Sequence, residues 1–152
     1  MTAPAAPPPE TPAKTWHPSI LVFSTNNISD PGIDLAGSAH LHYNPGVRVM
    51  PLPCTSLIKP AWILHAIESG FDGVFIASDG DECAYLSDCA ERASHNLSVA
   101  QQMLKDAGHS AMRVRMAAIC SVCAEPFAKH VTQFTKALTD LGPSASEVSH
   151  GL

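Results

Sequence analysis

The chain has 152 residues and a mass of 16.1 kDa, room for one domain with its own core but not for two. At 45% apolar and 15% charged, with a mean hydropathy of +0.07, it has the composition of a folding sequence. Nine Lys and Arg against 14 Asp and Glu leave a net charge of −5, which argues against a nucleic-acid binder and against a polybasic membrane anchor. No apolar run approaches the roughly 18 residues of a spanning helix. The start, MTAPAAPPPETPAKTW, lacks the basic region and apolar block of a secretory signal. The expectation is a soluble, cytoplasmic protein with no nucleic-acid partner and no membrane insertion.

Residues 1–18 hold Pro4, Pro7, Pro8, Pro9, Pro12 and Pro18 and read as a disordered Pro/Ala-rich tail. A single domain follows over 19–143, and 144–152 reads as a flexible C-terminal tail. Within the domain, 19–23 (SILVF) is a short apolar strand. After the breaker Asp30-Pro31-Gly32 a helix is expected over 34–42. Residues 47–52 form a second strand. Residues 60–69 form a helix with proline at its first position and Gly70 at its end. Residues 73–77 (GVFIA) are a third strand. A long helix over about 86–107 carries Leu86, Ala90, Ala93, Leu97, Ala100, Leu104 and Ala107 at helical spacing. Residues 114–119 are a fourth strand. A last helix over about 125–141 repeats the pattern with Phe127, Val131, Phe134, Leu138 and Leu141, and Gly142-Pro143 stops it. Alternating strands and helices predict an α/β fold. They imply a four-stranded, mostly parallel sheet with helices on both faces, flavodoxin- or Rossmann-like. The short apolar strands predict burial on both sides.

In such sheets ligands bind at the carboxyl edge of the strands. The five cysteines therefore gain meaning from position. An odd number without an export signal argues against a disulfide framework. Cys54 follows the second strand, Cys83 the third, and Cys120 and Cys123 the fourth, so four thiols fall at one predicted edge. Soft anionic donors gathered there could hold an iron–sulfur centre. Cys120-Ser121-Val122-Cys123 also admits a thioredoxin-like reading, a thiol pair ahead of a helix. Cys89, placed within the long helix, reads as packed or half exposed. Asp79, Asp81, Glu82 and Asp88 lack the spacing of a calcium loop and read as a solvated acidic stretch. Ser24–Ser29 is rich in hydroxyls and amides but has no glycine for phosphate approach. His40 and His42 lack a third ligand. No loop carries a nucleophile with an adjacent base, so a free-standing enzyme is not expected.

Further stretches carry a resemblance. They are Gly32-Ile33-Asp34-Leu35-Ala36-Gly37, Tyr43-Asn44-Pro45-Gly46-Val47-Arg48-Val49 and Leu52-Pro53-Cys54-Thr55-Ser56. Gly70-Phe71-Asp72-Gly73-Val74, Gly80-Asp81-Glu82-Cys83-Ala84-Tyr85, Arg113-Val114-Arg115, Phe127-Ala128 and Phe134-Thr135-Lys136 continue the series. Over about 19–143 the sequence resembles the delta subunit of methyl-viologen-reducing hydrogenases. That family's iron–sulfur subunit joins a hydrogenase or formate dehydrogenase to heterodisulfide reductase. The resemblance implies a [2Fe–2S] cluster that passes electrons to a flavin- and cluster-bearing partner. It keeps Cys54 and Cys83 as ligands, while other family cysteines fall on Ser24 or Thr25, on Ile28 and on Ser78. Two functions follow as expectations. One is an electron-transfer subunit with a relocated cluster on Cys54, Cys83, Cys120 and Cys123. The other is a cluster-less paralogue that docks within such a complex through the carboxyl edge, near Asp81 and Glu82.

Overall fold

The computed structural model describes residues 2–5, 15–80 and 83–145. Four strands, β1 (Ile20–Thr25), β2 (Val47–Leu52), β3 (Gly73–Ser78) and β4 (Val114–Ala118), form one sheet in the order β2-β1-β3-β4. Every neighbouring pair is parallel. Helices α1 (Ser29–Ser38), α2 (Pro60–Glu68), α3 (Cys89–Asp106) and α4 (Ala124–Leu141) connect and follow the strands. The path steps from β1 outward to β2, then back across β1 to β3 and on to β4. Right-handed crossovers in opposite directions place helices on opposite faces.

Side-chain alternation along β1 feeds both layers. Ile20 and Val22 pack with α1 and α4, among Ile33, Ala36, Phe127 and Phe134. Leu21 and Phe23 pack with α2 and α3, among Ile63, Ile67, Ala100 and Leu104. Both β1 and β3 are buried along their whole length, as short apolar strands in a parallel sheet should be. β2 departs from that expectation, because Arg48 to Pro51 are exposed. It is an outer strand, and Pro51 is tolerated there because an edge strand need not donate every backbone N–H.

The fourth helix follows its sequence pattern: Phe127, Val131, Phe134 and Leu138 are fully buried. The first does not. It starts at Ser29 rather than after Gly32, so Asp30-Pro31-Gly32 lies inside its first turn. Proline is accommodated there because the first turn's N–H groups have no helical acceptor. Gly32 is required by contact, since a Cβ on it would collide with the Cys120 carbonyl oxygen.

At the amino edge of the sheet, Asp72 receives the backbone N–H of Ser19 at 2.9 Å and of Ser144 at 3.0 Å. The fully buried Arg113 donates to the carbonyls of Asp72 and Gly142, each at 2.9 Å. Bonds of this charged kind contribute about 1.5–3 kcal/mol each. Residues at both expected boundaries pack against the domain. Pro18 is buried and its carbonyl accepts from Asn44 at 2.8 Å, and Ser144 is buried against Phe71 and Asp72. Residues 1, 6–14 and 146–152 of the two expected tails lie outside the described residues. Among the described residues, no helix is long and apolar enough to cross a membrane.

Gly32→Ala should destabilise the protein by about 1–3 kcal/mol through overpacking against a backbone carbonyl. Gly37→Ala on the same helix meets nothing within 4 Å. It should leave stability unchanged or raise it by up to about 1 kcal/mol through the better helix propensity of alanine. Thermal unfolding of the two variants against the parent checks the contrast, at roughly 2–4 °C per kcal/mol.

Candidate functional site

The strand order reverses between β1 and β3, and the crevice outside their carboxyl ends is lined by hydroxyls. Ser29 Oγ accepts from the Thr25 N–H at 2.7 Å and donates to the Ala77 carbonyl at 2.8 Å. Thr25 and Ser29 hydroxyls meet at 3.1 Å, Ser24 Oγ donates to Asp30 Oδ1 at 2.9 Å, and Thr25 also hydrogen-bonds Asp79. Ser78 Oγ points to the Ala117 carbonyl at 3.4 Å. Of the positions where the resemblance implies cysteines after β1 and β3, Ile28 is apolar, and Ser24, Thr25 and Ser78 carry hydroxyls already engaged with Asp30, with Ser29 and Asp79, and with the Ala117 carbonyl.

The cysteines themselves fall at the carboxyl edge but at its two ends. Cys54 follows β2, on one side of the sheet, and Cys120 and Cys123 follow β4, on the other. Three strand spacings of about 4.8 Å separate the ends of those strands by about 14 Å. Cys120 and Cys123 are joined in a disulfide at the start of α4. Cys54 and Cys83 are free and half buried. Among the described residues no group of three or more His, Cys, Asp and Glu side chains is placed to hold a metal. Of the expected ligands, Cys120 and Cys123 are bonded to each other, and Cys54 and Cys83 are free. As a donor set for a [2Fe–2S] cluster, Cys54, Cys83, Cys120 and Cys123 do not fit: two are bonded to each other, and those two lie across the sheet from Cys54. Asp81 and Glu82, the expected docking pair, lie outside the described residues.

The partner Cys54 does have is Cys89. Their sulfurs are 3.1 Å apart. Cys54 stands just before a 3-10 turn at Thr55–Leu57, and its sulfur also lies 3.0 Å from Ser56 Oγ. Cys89 is the first residue of α3, only 1% exposed, with Thr55 Oγ1 at 3.8 Å. It opens the helix, which starts three residues later than the spacing predicts. The sequence signal for that start is Asp88 with Glu91 three residues on, an acidic N-terminal pattern at the cap. Asn96, two turns into α3, ties the loop down by donating to the carbonyls of Ser56 and Ile58 at 3.4 and 3.1 Å.

The two thiols are electrostatically unequal. Burial raises the Cys54 pKa, but the hydrogen bonds from Ser56 and Cys89 outweigh it and hold the thiol below its ordinary value. Burial, together with its hydrogen bond to Cys54, pushes Cys89 up. Cys54 is therefore the better thiolate and Cys89 the shielded thiol beside it.

The arrangement defines a doubly wound α/β domain in which Cys54 lies beside Cys89 after β2, Cys120 is bonded to Cys123 after β4, and Cys83 is a separate free thiol. Residues 20–142 match the family of the methyl-viologen-reducing hydrogenase delta subunit, and the chain belongs to that family. It is 32% identical over 136 residues to a ferredoxin:CoB-CoM heterodisulfide reductase subunit of Methanosarcina mazei, covering 89% of this chain. The chain spans only 17% of the length of that relative. It is 28% identical to an F420-non-reducing hydrogenase iron-sulfur subunit of Archaeoglobus profundus, covering 86% of this chain and 96% of the relative. The corresponding vhu iron-sulfur subunit from Methanocaldococcus jannaschii is 29% identical, with 84% and 95% covered.

A lowered Cys54 pKa means more thiolate near neutral pH than an ordinary cysteine carries, and a loss of that thiolate as pH falls through the lowered value. Iodoacetamide should label Cys54 ahead of Cys89. Ser56→Ala, which removes a hydrogen bond to the thiolate, should move the midpoint of the Cys54 rate–pH profile upward. Peptide-resolved alkylation rates across pH check both outcomes.

Proposed function

We propose that this protein is a component of a hydrogenase- or heterodisulfide-reductase-type redox complex, acting in it as a docking domain. Its partner would be a chain resembling the larger part of the Methanosarcina heterodisulfide reductase polypeptide, the part this domain does not cover. The observation that carries the reading is the uncovered β2 edge. Val49 and Met50 are 39% and 48% exposed on β2, and Trp62 of α2 is 41% exposed beside them. Together with Phe23, Leu52 and Phe71 they line a mostly apolar groove of about 600 Å³. An outer strand with apolar side chains left open is a pairing and aggregation hazard unless another surface covers it.

The relatives support one candidate for that surface. The same domain fills 96% of the Archaeoglobus hydrogenase relative, yet only 17% of the Methanosarcina reductase relative, where the rest of the polypeptide is covalently attached. A domain that occurs both by itself and fused to a larger chain has a face shaped for that chain. The groove suits an apolar partner with aromatic or aliphatic anchors, and Trp62 is the residue type that most often dominates such contacts.

The finer reading, electron transfer through a cluster on this chain, draws no support from the donor set described above. The docking role needs none of the four expected ligands. Co-expression with a reductase chain of that kind and affinity purification of the pair tests it. Met50→Asp and Trp62→Ala should weaken association by about tenfold or more, the loss expected for removing a central apolar or aromatic anchor. Because both residues are exposed, melting temperature should stay within the few degrees of an ordinary surface substitution. Undiminished co-purification of both variants would contradict docking through the β2 edge.

A further inference from the structure

We propose that Cys54 and Cys89 form a redox-active dithiol that reduces low-molecular-weight disulfides, with Cys54 as the attacking sulfur and Cys89 as the resolving one. The sulfurs stand 3.1 Å apart, so closing to a disulfide bond of about 2.0 Å needs only about 1 Å of travel. Cys54 is in the turn after β2, and Cys89 opens α3.

Access differs between them in the sense the chemistry requires. Cys54 is half buried and Cys89 is buried. Ser56, whose hydroxyl touches the Cys54 sulfur, also lines a polar surface groove of about 460 Å³ with Arg92, His95 and Asn96. That groove carries charges of both signs, from Arg92 and from Asp88 and Glu91, and suits a small disulfide with zwitterionic ends. The Ser56 hydroxyl, 3.0 Å from the Cys54 sulfur, can donate to its thiolate, while Cys89 is only 1% exposed behind it.

The reaction balances as two thiol–disulfide exchanges. The Cys54 thiolate attacks one sulfur of R–S–S–R. The bond from Cys54 to SR forms, the R–S–S–R bond breaks, and RS⁻ leaves to take a proton from solvent. Cys89 then gives its proton to solvent and attacks the Cys54 sulfur. The Cys54–Cys89 bond forms, the Cys54–SR bond breaks, and the second RS⁻ leaves. Two electrons pass from the protein dithiol to the substrate, giving one protein disulfide and two RSH. The inference is independent of docking through the β2 edge.

Glutathione disulfide is the probe, with the full-length chain carrying Cys83→Ser so that the remaining free thiol cannot interfere. After incubation near neutral pH and acid quenching, peptide mass mapping should find Cys54 and Cys89 cross-linked. Cys89→Ser should instead accumulate glutathione on Cys54, because the resolving step is lost. Cys54→Ser should form adducts at residue 89 at least ~10-fold more slowly, as expected of a shielded thiol with little thiolate. The cross-link is read without substituting either member of the pair, so a folding defect in Cys89→Ser leaves the result standing. Thiols at 54 and 89 that both remain open to iodoacetamide after denaturation would overturn the proposal. So would glutathione found first on Cys89.

Discussion

The parallel pairing of β1 with both β2 and β3 is the constraint from which the rest of the molecule follows. Ile20 is in register with Val47 on one side and Gly73 on the other. With β1 inside the sheet, β2 must be an edge and β4 the opposite edge. The chain then has to reverse direction across the sheet, which distributes two helices to each face and gives β1 two apolar sides. The same order decides which loops can meet. Loops after β1 and β3 share a crevice, whereas loops after β2 and β4 are kept apart by the width of two strands.

That separation explains the chemistry at the carboxyl edge. Where the crevice between β1 and β3 could have gathered soft donors, it holds Ser24, Thr25, Ser29 and Ser78, whose hydroxyls are spent on one another, on the Asp30 and Asp79 carboxylates and on backbone carbonyls. Hydroxyls are hard, neutral ligands at physiological pH and do not substitute for thiolates toward iron. The thiols lie to either side, Cys54 with Cys89 against α3 and Cys120 with Cys123 at the start of α4. Four of the five cysteines thus stand as two pairs, and Cys83 is free. At the opposite edge of the sheet, the Asp72 and Arg113 network closes the domain by binding the backbone on both sides of it, from Ser19 to Ser144.

Local pattern made much of this legible from sequence. The four strands, the proline-led α2 and the apolar stripe of α4 each follow from spacing alone, because burial of one helix face or of a short apolar run is a local demand. The start of α1 was not legible in that way: Asp30-Pro31-Gly32 has the composition of a breaker, and only the close approach of the Cys120 carbonyl to Gly32 shows why a helix accepts it. Strand order is a global property, so placing Cys54, Cys83, Cys120 and Cys123 on one edge could not reveal that the first and last two sit at opposite ends of it. Cys89 escaped notice for a local reason, since a helix begun three residues early puts it inside the helix instead of at its mouth. The exposure of β2 is likewise invisible in its composition, as Val47, Val49, Met50 and Leu52 read as a buried strand until the sheet order makes it an edge.

The central proposal is that Cys54 with Cys89 and Cys120 with Cys123 stand as two pairs and do not converge on one cluster site. Iron and acid-labile sulfide measured on anaerobically purified, full-length protein, with its visible spectrum, test it most directly. The account predicts a colourless protein with neither element present in proportion to the chain. About two irons and two sulfides per chain, the content of a [2Fe–2S] centre, would contradict it.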